Sequence, residues 1–249
     1  MKFGIKRVFR RLGTAILDAA YPRVCPVCKN VISDLNGSVV CDDCASTIEY
    51  IGEHYCQKCS QPVDDSFEVT KRCPECSDLK LHFDRTIAVG RYYGGLKELI
   101  LELKKSYPYI ARFLGRILAD KLRRQDFINE IDLVVAVPAW RWDILCKNQA
   151  ELLAGETAKQ LGLSWRKSIL TKIRRTPKQV SLDRITRIKN LEDAFAVKNA
   201  RIVKDKNILL IDDVMTTGTT ANECAKALKD SGVKRVYVGI VGRTIPKIE

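Results

Sequence analysis

Residues 208–220 read Ile-Leu-Leu-Ile-Asp-Asp-Val-Met-Thr-Thr-Gly-Thr-Thr, an apolar strand that ends on two adjacent carboxylates and enters a small-residue turn opening a helix. Ligands of parallel α/β sheets gather at the carboxyl ends of the strands. There, Asp212 and Asp213 can accept hydrogen bonds from vicinal sugar hydroxyls. Thr216, Thr217, Gly218, Thr219 and Thr220 combine hydroxyl donors with free backbone N–H groups at a helix start, a site suited to a monophosphate. A structural account, in which the acids cap the turn and the threonines satisfy the helix end, explains one acid and one threonine. It does not explain two acids and four threonines around a glycine, and the pattern points to a sugar phosphate.

A second chemistry lies upstream. Cys25-Pro-Val-Cys28, Cys41-Asp-Asp-Cys44, Cys56-Gln-Lys-Cys59 and Cys73-Pro-Glu-Cys76 are four C-x-x-C pairs separated by 12, 11 and 13 residues. Each pair presents two thiolates from one knuckle, and two knuckles complete a tetrahedral zinc shell. Two closed, structural sites are expected, paired either sequentially or cross-braced. In a segment with few large apolar side chains, metal binding would supply much of the folding free energy. His54 and His82 read as ordinary residues, and Cys146 and Cys224 as small hydrophobes without a nearby base.

Charge divides the chain in three. Its 249 residues carry a formal net charge of +13, which makes a polyanionic partner plausible. Residues 1–24 hold six bases and one acid on a short amphipathic pattern, read as a helix that packs on the following domain. Residues 25–80 hold five bases and ten acids; eight thiolates and two zinc ions would take that balance from −5 to about −9. Such a module repels a phosphate backbone and reads as a scaffold or docking unit. Residues 81–249 hold the remaining excess of bases. No apolar run approaches the roughly 18 residues of a membrane span, so a soluble chain in a thiol-reducing cytoplasm is expected.

These sites need elements to hold them. The β-branched and aromatic stretch 83–93 and the apolar runs 132–138, 207–213 and 235–241 read as strands; 96–105, 110–124, 148–161 and 219–231 read as helices. Buried strands with helical crossovers make a mostly parallel α/β sheet flanked by helices. Residues 164–190 break the pattern and read as a mobile basic excursion. Within it, residues 166–189 hold nine bases against Asp183 alone, Arg174, Arg175, Lys178, Arg184 and Arg187 among them. With Trp140, Trp142 and Trp165 available for stacking, this suits a single nucleic-acid strand.

The motif at 208–220 resembles the signature of type I phosphoribosyltransferases. The chain from 16 to 244 resembles the ComF family of competence-associated proteins through that motif, the C-x-x-C pairs, Val137-Pro138, the stretches 148–153 and 176–179, Asn190-Leu191 and Ala194-Phe195. The resemblance implies a type I phosphoribosyltransferase-like domain behind a zinc-ribbon module with four-cysteine sites. It further implies that Asp212 and Asp213 hold the ribose hydroxyls of 5-phosphoribosyl-1-pyrophosphate and that Thr216 to Thr220 wrap its 5-phosphate. A pyrophosphate loop would follow Val137-Pro138, with Arg141 and Lys147 as its bases and Mg²⁺ bridging ligand oxygens, and 164–190 would be the covering loop. Three functions are compatible with this: handling of single-stranded DNA during uptake with a partner of the uptake machinery, pentosyl transfer to an amine or base, and sensing of the sugar phosphate without turnover.

Overall fold

The computed structural model describes residues 23–32, 38–68, 72–105, 107–139, 148–174, 176 and 190–245. The amphipathic segment at 1–22, together with Trp140, Arg141, Trp142, Cys146, Lys147, Arg175, Lys178, Arg184 and Arg187, lies outside the described residues.

Four parallel strands form the main sheet: β1 (Arg85–Arg91), β2 (Leu133–Ala136), β5 (Asn207–Met215) and β6 (Arg235–Arg243), in the spatial order β1-β6-β5-β2. Their sequences are continuous apolar runs because both faces are covered; every β2 residue is buried, as are Val236 to Arg243 of β6. Helices α2 (Gly94–Leu103) and α3 (Pro108–Leu122) lie in the crossover from β1 to β2, and α4 (Gln149–Leu161) leads on from β2 to Trp165 at its free edge, so these three step the same way along the sheet. Helix α6 (Thr219–Asp230) lies in the crossover from β5 to β6, which steps back. The right-handed crossover rule puts these groups on opposite faces. Accordingly α3 packs on α4, and α6 packs on β5 and β6.

The expected strands and helices are present, with two informative differences. Strand β5 runs two residues past its aspartates, because Val214 and Met215 find partners in Gly242 and Arg243 of β6. Part of the region expected as a mobile excursion carries structure. Trp165 bridges in parallel to Val134 at the free edge of β2, and β3 (Leu170–Lys172) pairs antiparallel with β4 (Phe195–Val197). Bases in this stretch masked a short strand whose partners lie far away in sequence. A four-residue helix, α5 (Ala200–Val203), leads from β4 into β5.

The cysteine-rich segment is fastened to the outer edge of the sheet. The Ile51 N–H donates to the Val89 carbonyl at 3.0 Å, the Arg91 N–H to Glu49 at 2.8 Å, and Tyr50 bridges antiparallel to Gly90. Farther along β1, the Thr86 N–H donates to Gln57 and the Ala88 N–H to the hydroxyl of buried Ser60, both at 3.0 Å. Edge backbone groups that would otherwise invite another chain are thereby occupied. The crossing is tight: a Cβ at Gly90 would stand 2.5 Å from the Glu49 carbonyl oxygen. Gly90→Val is therefore expected to lower unfolding stability by about 2–3 kcal/mol in urea titration, with zinc content unchanged.

Candidate functional site

The eight clustered cysteines fall into two groups whose sulfurs lie within 4.8 Å of one another: Cys25, Cys28, Cys41 and Cys44, then Cys56, Cys59, Cys73 and Cys76. The pairing is sequential. Each group joins one hairpin knuckle to one turn-like knuckle. The hairpins are matched: Lys29 N–H returns to Cys25 and Ser60 N–H to Cys56, with φ of 66° and 60°, next to the bridges Val24–Val31 and Tyr55–Pro62. Opposite the first, Cys41 opens the short helix α1 (Asp42–Ser46). A zinc ion with about 2.3 Å bonds to four sulfurs sets tetrahedral edges of about 3.8 Å. The Cys28–Cys41, Cys56–Cys76 and Cys59–Cys73 separations of 3.7, 3.7 and 3.4 Å fit that shell. With four protein ligands each, the sites have no open position, and their chemistry is structural. Neither histidine joins a cluster among the described residues; His54 faces Asp65 at 3.5 Å.

The thiols divide into those ready to ionise and those held back. A hydrogen bond from Cys59, working against burial, brings Cys56 down to about 4. Burial raises Cys25, but backbone N–H groups of the knuckle outweigh it and bring the thiol down to about 6. Burial and then Cys56 push Cys76 up to about 12. Metal capture accordingly expels protons from the upper set.

The second site is built where β2 and β5 end side by side. From here the chain runs outward from β2 to Trp165 and inward from β5 to β6, and this divergence opens a crevice at the strand termini. The Val137 N–H donates to the Ile211 carbonyl at 2.9 Å, and the Asn148 amide donates to Val137 at 3.0 Å while also capping α4. Val137-Pro138 is thus placed beside the residue that precedes Asp212. The two acids are fixed from their own backbone: Asp212 Oδ1 accepts from the Asp213 N–H at 2.9 Å and Asp213 Oδ1 from the Val214 N–H at 2.8 Å. Both are partly exposed, and Asp212 lines the crevice.

Beyond them the chain turns at Gly218, whose φ of 81° suits a residue without Cβ, into α6. Its N-cap, Gly218, offers no side-chain acceptor, and the positive dipole end of the helix start borders the pocket. Thr217 and Thr219 hydroxyls lie 2.8 Å apart across the turn. The pocket, about 320 Å³, is lined by Asp212 and the whole turn from Thr216 to Thr220, and also by Lys104 from the end of α2. Sequence reading missed Lys104. Its only signal was a pair of lysines after a helix, and only the fold brings it to the acids.

Burial, and next the Asp213 charge, push the Asp212 pKa well above the usual carboxylate range; Lys104 pulls the other way. The same desolvation raises the Cys224 thiol beneath, in keeping with an inert, fully buried side chain. Of the bases assigned to nucleic acid, Arg174 is described: its guanidinium donates to the carbonyls of Asn190 and Glu192 at 3.2 and 2.6 Å, joining the two ends of the intervening stretch.

Fold and site together define a doubly wound α/β domain with a crevice at the carboxyl ends of β2 and β5, carried on a structural zinc module. The chain belongs to the phosphoribosyltransferase family: the phosphoribosyl transferase domain model matches residues 113–242, and the double zinc ribbon domain model matches residues 16–77. The ComF-like architecture expected from the sequence is borne out. The chain is 28% identical over 230 residues to the DNA utilization protein YhgH of Salmonella typhimurium, covering 90% of this chain and 98% of that protein. It is 25% identical over 219 residues to competence protein F of Haemophilus influenzae, covering 85% and 88%. It is 27% identical over 205 residues to competence protein ComFC of Streptococcus pneumoniae, covering 80% and 85%. No helix among the described residues is long and apolar enough to cross a membrane.

Elemental analysis is expected to find two zinc ions per chain, and Cys28→Ser or Cys73→Ser to leave one. Asp212 yields a second expectation. With its folded pKa raised, its contribution to stability is full below the unfolded value of about 3.9 and is lost as pH rises through the folded value. Asp212→Asn should therefore raise the Tm at neutral pH by about 2–4 °C, corresponding to roughly 1 kcal/mol, with the gain vanishing near pH 3.

Proposed function

We propose that this protein binds a phosphoribosyl ligand, 5-phosphoribosyl-1-pyrophosphate with Mg²⁺, and handles single-stranded DNA during DNA uptake. The observation that carries the first half is the juxtaposition of Asp212, followed directly by the partly exposed Asp213, with a threonine-rich helix start in one crevice. Carboxylates accept from the ribose hydroxyls while N–H and hydroxyl donors hold the 5-phosphate a few ångströms away. Mg²⁺ would supply charge neutralisation for the pyrophosphate, with Lys104 and the bases Arg141 and Lys147 contributing beside it. Support for the second half comes from the nine bases in residues 166–189 and from the names of the relatives in DNA utilization and competence. The two zinc centres serve as scaffold in this reading, and a partner of the uptake machinery would dock on their acidic module.

A second reading, pentosyl transfer, is favoured by Lys104, which stands with Asp212 at the pocket wall. In such a reaction a nitrogen nucleophile of the acceptor forms the bond to the anomeric carbon as the bond to pyrophosphate breaks, and the leaving group takes the electron pair. The groups fixed in this crevice would hold the sugar and stabilise the departing charge.

Calorimetric titration with phosphoribosyl pyrophosphate and Mg²⁺ is expected to saturate at one site, and Asp212→Asn with Asp213→Asn to abolish the heat. Binding of a single-stranded oligonucleotide is expected to weaken about 20-fold over a fourfold rise in salt, the slope of about three phosphate contacts. Charge reversal at Arg175 and Lys178 should flatten that slope, and a wild-type affinity indifferent to salt would refute the nucleic-acid half. Pyrophosphate release that requires an added amine or base would decide for the second reading.

A further inference from the structure

Arg243, at the end of β6, is almost fully buried at 5% exposure, and no carboxylate among the described residues lies within ion-pair distance of it. A desolvated guanidinium without a counter-charge is costly unless its donors are occupied and an opposite charge stands near. Its donors meet carbonyl oxygens from two separate parts of the molecule. Nε donates to Cys59, a ligand of the second four-cysteine cluster, at 2.9 Å. The terminal nitrogen donates to Met215 at 3.2 Å, to Thr244 at 2.8 Å and to Thr216. The cavity of about 280 Å³ between the cluster and the turn is bordered by Cys59, Cys76, Met215, Thr216 and Arg243.

Two physical consequences follow. A Zn²⁺ held by four thiolates carries a formal charge of −2, which places the missing counter-charge beside the guanidinium. In a planar trans peptide the carbonyl and the next N–H point opposite ways. Drawing the Met215 and Thr216 carbonyls onto Arg243 therefore turns the N–H groups of Thr216 and Thr217 away from it, and both residues also line the crevice.

We propose that Arg243 is a positioning residue that couples the second zinc centre to the phosphate turn, so that metal at Cys56, Cys59, Cys73 and Cys76 sets the affinity for the 5-phosphate of the phosphoribosyl ligand. This rests on the phosphoribosyl reading of the crevice. Among the described residues the first centre, at Cys25, Cys28, Cys41 and Cys44, has no such link to the turn: its neighbours reach α2 instead, Lys29 pairing with Glu102 at 2.9 Å and the Thr47 hydroxyl accepting from the Gly95 N–H at 3.1 Å. Loss of zinc from the second centre should release the turn, and loss from the first should not.

The test uses the full zinc-loaded chain, ribose 5-phosphate as the probe, and amide hydrogen exchange without any ligand. Cys73→Ser, which spares the Cys59 side chain, is expected to weaken ribose 5-phosphate binding about tenfold and to speed exchange at the amides of residues 216–218 about tenfold, whereas Cys28→Ser shifts both by less than about threefold. Arg243→Gln, which touches no metal ligand, should match Cys73→Ser; Arg243→Lys, with one donor group in place of a fork, should fall between. The double variant Arg243→Gln with Cys73→Ser should be no worse than either single one. Linkage also runs backwards: Arg243→Gln should let a chelator strip the second zinc about tenfold more readily, a readout that stands even if Cys73→Ser fails to fold. Equal effects from the two cysteine variants, or single effects that multiply in the double variant, would overturn the coupling. Should the wild type not bind ribose 5-phosphate at all, the reading of the crevice falls, while exchange and chelation still decide the link.

Discussion

The structure turns on strand β5 being hydrogen-bonded on both sides. Pairing with β6 on one edge and β2 on the other leaves it no freedom to slip, and its two acids are delivered to the mouth of the crevice in a fixed register. That position is electrostatically unfavourable: Asp212 is desolvated, next to a second carboxylate and near a buried thiol. The fold tolerates the strain because Ile208 to Ile211 are fully buried behind the acids and hold the strand in place. Local instability of this kind is a common property of binding sites, where a ligand supplies the missing partners.

The cysteine-rich module solves a different problem. Its second half has a core made of four cysteines, with Val63, Phe67, Leu79 and Leu81 packed around it among the described residues, which is too little apolar burial to fold such a segment unaided. Metal ligation takes the place of a hydrophobic core. In return the module closes the exposed edge of β1, and Asn222 of α6 is tied to the linker by hydrogen bonds with Lys80 and His82. The acidic module and the basic domain are thus one continuous structure, and the turn at Thr216 to Thr220 is backed by the second four-cysteine cluster.

What could be read from the residues alone follows from the range of the interactions involved. The cysteine pairs, the acid pair and the threonine turn are local patterns, and each is visible within a dozen residues. Apolar runs such as Leu133–Ala136 show themselves because burial on both faces removes alternation. Trp165, β3 and β4 were hidden because their pairing partners lie some 25 to 30 residues away and the intervening charge looks like solvent. Lys104 and Arg243 were hidden for the same reason: one lies more than a hundred residues before the acids it faces, and the other reads as an ordinary strand-end base until the chain folds it between Cys59 and Met215. The sequential pairing of knuckles was open at equal spacing and is decided by the hairpin geometry.

The central claim is that a phosphorylated pentose occupies the crevice at the ends of β2 and β5. The most direct measurement is a crystal structure of the zinc-loaded protein soaked in ribose 5-phosphate. The account predicts the phosphate against the backbone N–H groups of the turn at Thr216 to Thr220, and the vicinal hydroxyls on Asp212 and Asp213. An empty crevice, or a sugar phosphate bound elsewhere with both carboxylates turned away, would contradict it.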